Sequence, residues 1–168
     1  MSYKKIFLSL IFAAYLQPML SKSSKYGIRA VLYLASSASE AKNIGTKEIA
    51  ITLNIPAPFL AKTLQQLSKK KIISSIKGPN GGFFMTKNNL EKSIFDIIYC
   101  IDGQHKFEEC FLGYPECSDI EPCVVHDVYS PLKKQLLRRL KTKTIFEMAK
   151  ENTDTFNSIE NLISDESL

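Results

Sequence analysis

Apolar residues recur at helical spacing along much of the chain. In SKYGIRAVLYLAS, residues 24–36, they form one helical stripe, and Ser24 is its predicted N-cap. Thr46 is predicted to cap the next short helix, KEIAITL. Pro58 stands near the start of a further helix over residues 57–70. The pattern therefore predicts a mainly α-helical fold.

The helix over residues 57–70 has two contrasting faces. Its apolar face comprises Leu60, Leu64 and Leu67, at i, i+4, i+7 spacing. Its opposite face comprises Pro58, Lys62, Gln65 and Lys69. Because a tight Ile-Pro-Ala-Pro connection joins it to the preceding short helix, the pair forms a helix-turn-helix pattern.

A β-hairpin is predicted directly after this helix. Residues 72–76 and 83–86 read as strands, and GPNGG at 78–82 as the turn between them. A hairpin in this position is a wing, and its glycine-rich tip lets the backbone approach a sugar–phosphate chain closely. The glycines do not indicate a nucleotide-binding P-loop, since no Lys-Ser/Thr follows.

The second half of the chain is predicted to contain three further helices. Residues 93–101 form an apolar helix in which Cys100 packs on the buried face. A long helix is predicted from Pro122 to Leu140, with Cys123 and His126 on the same side of its first turn. Its apolar stripe, suited to packing against a partner, comprises Val128, Leu132, Leu136 and Leu140. The capping-box spacing TIFE at 144–147 predicts a last short helix.

These elements divide the chain into five segments. They are a signal-like or over-extended start at 1–18, a winged helix-turn-helix domain at 19–103, a cysteine-rich loop at 104–126, a dimerisation helix with a terminal short helix at 127–150, and an acidic tail, predicted to be disordered, at 151–168. The apolar run at 6–16 is too short to span a bilayer, and translation is expected to begin at Met19. A cytoplasmic location is expected, because export would place free thiols in an oxidising compartment.

Charge is distributed unevenly along the chain. The net charge is +5, but residues 19–100 hold twelve Lys or Arg against four acids, whereas residues 101–125 hold one Lys against six acids. A basic first half indicates a polyanionic partner such as nucleic acid, and a solvated basic face is the alternative. No acid–base pair or nucleophile constellation indicates an enzyme, and neither a membrane nor a small-molecule substrate is expected as a partner.

Three cysteines and one histidine stand within seventeen residues. Cys110, Cys117, Cys123 and His126 are soft donors that make a complete four-ligand set for an iron–sulfur cluster or zinc. Cluster ligation is the favoured interpretation, and the alternatives are a Cys₃His zinc site, a reduced thiol switch and cysteines that simply pack. A disulfide framework is disfavoured, because three clustered cysteines leave one unpaired.

The run from Met19 to about Glu151 resembles the Rrf-two family of bacterial winged-helix regulators, which includes the IscR, NsrR and CymR branches. MLSKSSKYGIRAVLYLA is similar to the family's opening helix, and IPAPFLAKTLQQLSKKKIISSIKGPNGGF to its recognition helix and wing. The resemblance implies a homodimer that places two recognition helices in successive major grooves of a double-stranded DNA operator. It also implies that the cluster state controls operator affinity or choice.

The resemblance implies a ligand set as well. Cys110, Cys117 and Cys123 match the family's three cysteines, and His126 matches the histidine of the IscR branch, which holds a 2Fe–2S cluster. The nitric-oxide-sensing branch supplies an aspartate where this chain has Lys25. A 2Fe–2S cluster is therefore favoured over a 4Fe–4S cluster, with zinc as a minority alternative.

The expected DNA-binding residues lie in the recognition helix and the wing. They are Pro58, Phe59, Lys62, Gln65, Gln66, Lys77 and Asn80. Glutamine can read adenine bidentately, while lysine can reach guanine or a phosphate. Ala61 stands where the IscR branch has a glutamate that helps choose between operator classes, so the two-operator behaviour of that branch is not implied here.

The favoured function is a DNA-binding transcriptional regulator that senses iron–sulfur, redox or nitrosative status through the Cys₃His cluster. The first alternative is a regulator of the same fold that is controlled by thiol oxidation or by a partner protein. An iron–sulfur electron carrier or scaffold is more distant, since it does not explain the helix-turn-helix and wing. The colour of anaerobically purified protein separates the first two, and salt-sensitive binding to duplex DNA separates both from the third.

Overall fold

The structure is a computed structural model that describes residues 20–103, 107, 110–112, 114 and 118–151. Its elements are α1 (Lys22–Ser37), α2 (Thr46–Leu53), α3 (Ala57–Lys69), β1 (Ser74–Ile76), β2 (Gly82–Phe84), α4 (Lys87–Leu90), α5 (Ile94–Asp102) and α6 (His126–Thr142). Residues 145–151 are also helical. The fold is thus mainly α with one two-stranded antiparallel sheet, as predicted. The predictions for segment 1–18 and for the tail beyond residue 151 lie outside the described residues.

The core is built around α1, which packs against α2, α3 and α5. Each helix contributes its apolar stripe, and the side chains of Leu34, Ile49, Leu64 and Ile97 are fully buried there. Burial of such a side chain stabilises a fold by about 1.5–3 kcal/mol. The packing fixes which face of α3 points inwards, and therefore which face is left for a partner.

The helix starts differ from two predictions. The N-cap of α1 is Ser21, whose hydroxyl accepts a hydrogen bond from the Ser24 backbone N–H, while Ser24 itself is buried inside the helix. The N-cap of α2 is Gly45, and Thr46 is the first helical residue. In both cases the polar pattern marked the region of the helix start but not the capping residue itself.

The wing forms as predicted but with shorter strands. Ser74 pairs with Phe84 and Ile76 with Gly82, while residues 78–81 make the turn. Ile72 and Ile73 are buried ahead of β1 and do not join the ladder. Phe83 additionally exchanges two backbone hydrogen bonds with Ile44, each 2.9 Å long. The wing is therefore anchored to the segment that leads into α2.

The close approach of Gly82 to that segment yields a stability prediction. A Cβ at Gly82 would lie 2.7 Å from the Ile44 backbone oxygen, which cannot move without breaking the Ile44–Phe83 pairing. We expect Gly82→Ala to lower the free energy of unfolding by about 1–3 kcal/mol, because backbone must shift to admit the methyl group. Urea unfolding measures this, with the exposed wing substitution Lys77→Ala as control. Equal stability of the two variants would contradict the assigned packing.

The second half of the fold contains one element that the sequence did not reveal. The short helix α4 is closed by a capping box between Thr86 and Asn89, and the buried Asn89 amide donates to the Lys71 carbonyl. The predicted capping box at the start of the last helical segment is present, since Thr144 and Glu147 exchange hydrogen bonds. This segment is tied to the core by the Ile145 N–H, which donates to the Lys92 carbonyl over 2.7 Å.

The long helix α6 begins later than predicted. It starts at His126, not at Pro122, so Cys123 lies before the helix and not on its first turn. Val124 and Val125 form a turn in which the His126 N–H donates to the Cys123 carbonyl over 3.0 Å. Two successive β-branched residues disfavour helix at this position. The turn keeps Cys123 and His126 close by backbone hydrogen bonding instead of helical periodicity.

Candidate DNA-binding surface and thiol site

The outward face of α3 consists of residues that the core leaves exposed. We define this face as Pro58, Phe59, Lys62, Gln65 and Lys69, all of which are exposed. Phe59 keeps 56% of its surface exposed although it is a large apolar residue. The opposite face is occupied by Leu60, Leu64 and Leu67, which are fully buried. Lys69 was not among the predicted DNA-binding residues, although its i+4 spacing from Gln65 was a signal for it.

Gln66 does not share this outward face. Its side-chain amide donates to the Cys100 carbonyl on α5 over 2.7 Å, and the Cys100 thiol lies 3.8 Å from the Gln66 carbonyl. The two residues thus form a reciprocal link between α3 and α5. Helical periodicity turns Gln66 about 100° from Gln65, so Gln66 lies beside the outward face and is engaged with α5.

The wing continues the basic surface of α3. Lys77 and Asn80 are exposed at its tip. Between the wing and α3 lies an open cleft of about 490 Å³, whose lining includes Gln65, Lys69 and Lys77. Residues 55–90 contain no Asp or Glu, so no acid of this segment opposes the approach of a polyanion. The arrangement presents a continuous basic surface from α3 to the wing.

Two of the predicted ligand cysteines lie side by side. The sulfur atoms of Cys110 and Cys123 are 3.8 Å apart, and both thiols are free. Two thiolates on one tetrahedral metal ion, each at about 2.3 Å, stand about 3.8 Å apart. The pair therefore has the spacing that shared ligation of one metal ion requires.

The surroundings of Cys110 favour its thiolate form. Burial, which leaves it 6% exposed, raises the pKa of the Cys110 thiol. The combined effect of the Leu112 and Tyr114 backbone N–H groups, the hydrogen bond with Cys123 and the charge of Lys133 is larger, so the net pKa is lowered. Thiolate is the form that binds metals, and the N–H donors stabilise its charge.

His126 is held by a carboxylate that no sequence pattern indicated. His126 Nε2 lies 2.8 Å from Asp119 Oδ1, and Lys134 Nζ lies 3.6 Å from Asp119 Oδ2. The hydrogen bond from His126, followed by the charge of Lys134, lowers the pKa of the Asp119 carboxyl. An ionised carboxylate only accepts, so Nε2 carries the proton. A carboxylate on one ring nitrogen is the arrangement that orients metal-binding histidines.

Cys110, Cys123 and His126 line one open cleft, of about 740 Å³. We call these three residues the thiol site. The predicted ligand Cys117 lies outside the described residues. Across the residues whose positions are described, no three ligand side chains are grouped closely enough to hold a metal ion. What the structure brings together is a thiol pair with metal-ligand spacing and an oriented histidine at the same cleft.

The helix α6 carries an exposed apolar stripe. We define the α6 stripe as Val128, Leu132 and Leu136, which are 62%, 58% and 36% exposed. Leu140, predicted to belong to it, packs against the core of its own chain. The reason is that the end of α6 lies across α5, where Lys141 Nζ sits 4.6 Å from the ring centre of Phe95.

Helices of the described part of the chain are too short or too polar to cross a membrane.

A comparison with protein families matches residues 20–151 to Rrf2, described as "Iron-dependent Transcriptional regulator". The chain belongs to the Rrf2 family. Members of this family are transcriptional regulators, so this Rrf2 protein is a DNA-binding transcriptional regulator and not an enzyme.

Individual relatives agree with the Rrf2 assignment. The chain is 36% identical over 130 residues to an HTH-type transcriptional regulator of Aquifex aeolicus, covering 76% of this chain and 89% of that protein. It is 25% identical over 129 residues to the HTH-type transcriptional regulator IscR of Escherichia coli, covering 77% and 78%.

Solved structures show the same fold. CymR, the global cysteine regulator of B. subtilis, superposes with a TM-score of 0.64 at 20% identity, covering 79% of this chain and 96% of that one. T. potens IscR superposes with a TM-score of 0.58 at 22% identity, covering 79% and 87%. These likenesses confirm the winged-helix fold predicted for this Rrf2 protein.

Proposed function

We propose that this Rrf2 regulator binds its operator under the control of an iron–sulfur cluster held by Cys110, Cys117, Cys123 and His126. The observation that carries the proposal is the 3.8 Å separation of the Cys110 and Cys123 sulfur atoms in a site that stabilises thiolate. We favour a 2Fe–2S cluster over a 4Fe–4S cluster, because the oriented His126 supplies a nitrogen ligand beside the thiols.

Each residue of the site has a distinct role in this proposal. Cys110 and Cys123 would share one iron, while the N–H groups of Leu112 and Tyr114 stabilise the charge on sulfur. Asp119 holds the His126 ring in place. When bound, the cluster supplies an electron-accepting and oxidant-sensitive centre, and loss of that centre removes the crosslink between the cysteine-rich loop and α6.

Contacts within the chain link the thiol site to α6. The ring of Phe111 packs on Tyr129 with centroids 5.2 Å apart, and Lys133 Nζ lies 5.5 Å from the Tyr129 ring centre. His126 is itself the first residue of α6. Cluster loss should therefore loosen the loop and the first two turns of α6 together, without unfolding the winged helix.

The α6 stripe supports a homodimer as the active form. One winged helix reads only a short half-site, so useful affinity requires two, held about one helical turn of DNA apart. A second copy of the chain would cover Val128, Leu132 and Leu136, which one chain leaves exposed.

The regulator is proposed to act in the cytoplasm, where a bacterial regulator meets its operator. It has no small-molecule substrate and no membrane partner.

The test of cluster control is elemental analysis of protein purified without oxygen. We expect coloured protein with roughly two iron and two sulfide per chain. Colourless protein with one zinc per chain would replace the cluster by the zinc alternative. Coloured protein whose operator affinity is the same with and without the cluster would leave the site in place and contradict its regulatory role.

A second candidate function is control by thiol oxidation without a cluster. The observation that favours it is the same pair of adjacent free thiols, which a peroxide could oxidise to a disulfide with loss of two electrons and two protons. Operator titrations of metal-free protein, in its reduced and oxidised forms, separate the two candidates. Metal-free protein that binds its operator when reduced and releases it on oxidation would favour the thiol switch.

The DNA surface proposed for the regulator comprises the outward face of α3 together with Lys77 and Asn80 of the wing. We expect Lys62→Ala and Lys77→Ala each to reduce the slope of log affinity against log salt by about two units, since each removes one phosphate contact from both subunits of the homodimer. Titrations of fluorescent duplex operator at several salt concentrations measure the slope.

The control for these two variants is Lys150→Ala, which removes an exposed lysine from the last helical segment and should leave the slope unchanged. Wild-type slopes for both Lys62→Ala and Lys77→Ala would show that DNA binds elsewhere on the protein.

A further inference from the structure

Gln65 occupies the centre of the outward face of α3. Pro58, Lys62 and Lys69 surround it at helical spacings of seven, three and four residues. The Gln65 side chain is exposed, and within the described part of the chain no other group is hydrogen-bonded to it. Its neighbour Gln66 has the same side chain but is bonded to the Cys100 carbonyl of α5. Only one of the two glutamines is thus presented to a ligand.

The chemistry of this face limits how it can read a DNA sequence. Residues 55–90 contain no Arg for bidentate contact with guanine and no Asp or Glu to accept from cytosine. Lys62 and Lys69 flank Gln65 and have the flexible, compact charge that suits phosphates. The carboxamide of glutamine matches the N6 donor and N7 acceptor of adenine, a pair that no other base presents in the major groove.

We propose that Gln65 is a specificity-determining residue, which reads an adenine in each half-site of the operator through its carboxamide. Lys62 and Lys69 hold phosphates on either side and so set the depth of α3 in the major groove. The exposed ring of Phe59 adds an apolar contact suited to a thymine methyl group. The operators of this regulator therefore contain an A·T pair at the position that Gln65 reaches. This inference rests on the proposed DNA surface.

The test is selection of binding sites from a pool of random-sequence duplex DNA by the full chain, purified without oxygen. Wild-type protein should enrich a two-fold symmetric site with an A·T pair at one defined position in each half. Gln65→Ala should bind that site roughly 30- to 20,000-fold more weakly, as expected when the homodimer loses one bidentate base contact in each half-site. Its own selected sites should lose the A·T preference at that position alone.

Gln66→Ala is the matched control, since it removes the same side chain one residue along α3. It breaks the hydrogen bond to α5 and should lower the Tm, while the base preference stays that of the wild type. Gln65→Ala should have the opposite profile, with an unchanged Tm and an altered preference. This pairing separates readout of a base from support of the helix.

Three outcomes would overturn the inference. In the first, the Gln65→Ala protein keeps the wild-type base preference at every position. In the second, the position at which Gln65→Ala changes the preference is occupied by G·C in the wild-type sites. In the third, the Gln66→Ala protein loses the same preference. The first two leave the proposed DNA surface intact, because sequence-specific binding persists. Failure of wild-type protein to bind any duplex, even at low salt, would overturn the proposed surface as well.

Discussion

Cys110→Ala and Cys123→Ala are each expected to yield colourless protein that retains almost no iron or sulfide after anaerobic purification. Each substitution removes one of two thiols that lie 3.8 Å apart and would share one iron, and the partner thiol alone cannot hold it. The same loss is expected for Cys117→Ala. Elemental analysis and the visible absorption spectrum measure it.

Cys100→Ala is the control for these variants. Burial raises the pKa of the Cys100 thiol, against a smaller opposing effect of Lys70, and the thiol is engaged with the Gln66 carbonyl on α3. Iron and sulfide should therefore stay at wild-type levels in this variant. Loss of iron from Cys100→Ala, or its retention in Cys110→Ala, would contradict the assigned ligand set.

Leu132→Asp is expected to convert the regulator to a monomer and to weaken operator binding by at least about 100-fold. A charge in the middle of the α6 stripe cannot be buried against a second copy without a large desolvation cost. Loss of the dimer removes the gain from linking two half-site contacts, which is typically 10²–10⁴-fold. Sedimentation and operator titrations on the same samples measure both effects.

Phe146→Asp is the matched control for this substitution. Phe146 is 59% exposed, almost the same as the 58% of Leu132, but it lies on the last helical segment, outside the α6 stripe. It should leave the protein dimeric with wild-type affinity. A dimeric Leu132→Asp protein would move the subunit interface to another surface of the chain.

Local patterns in the sequence predicted most of the architecture, apart from the short helix α4. The leucine spacing of α3, the glycine-rich turn between two short apolar runs and the capping box before the last helical segment are all patterns of a few neighbouring residues. Because these patterns involve residues that are close together in the sequence, the sequence alone was enough to predict the helix-turn-helix, the wing and the basic surface. The clustering of cysteines likewise marked a candidate ligand site before any geometry was known.

Tertiary packing decided the details on which the proposals depend. Gln65 and Gln66 are the same residue type one position apart on α3, and the hydrogen bond of Gln66 to the Cys100 carbonyl of α5 is a tertiary contact that the helical pattern alone does not show. The Asp119–His126 pair, the turn that places Cys123 ahead of α6 and the burial of Leu140 depend on contacts between separate elements. A periodic pattern predicts which face of a helix is polar, but the element packed against the helix determines which residue at the edge of that face is exposed.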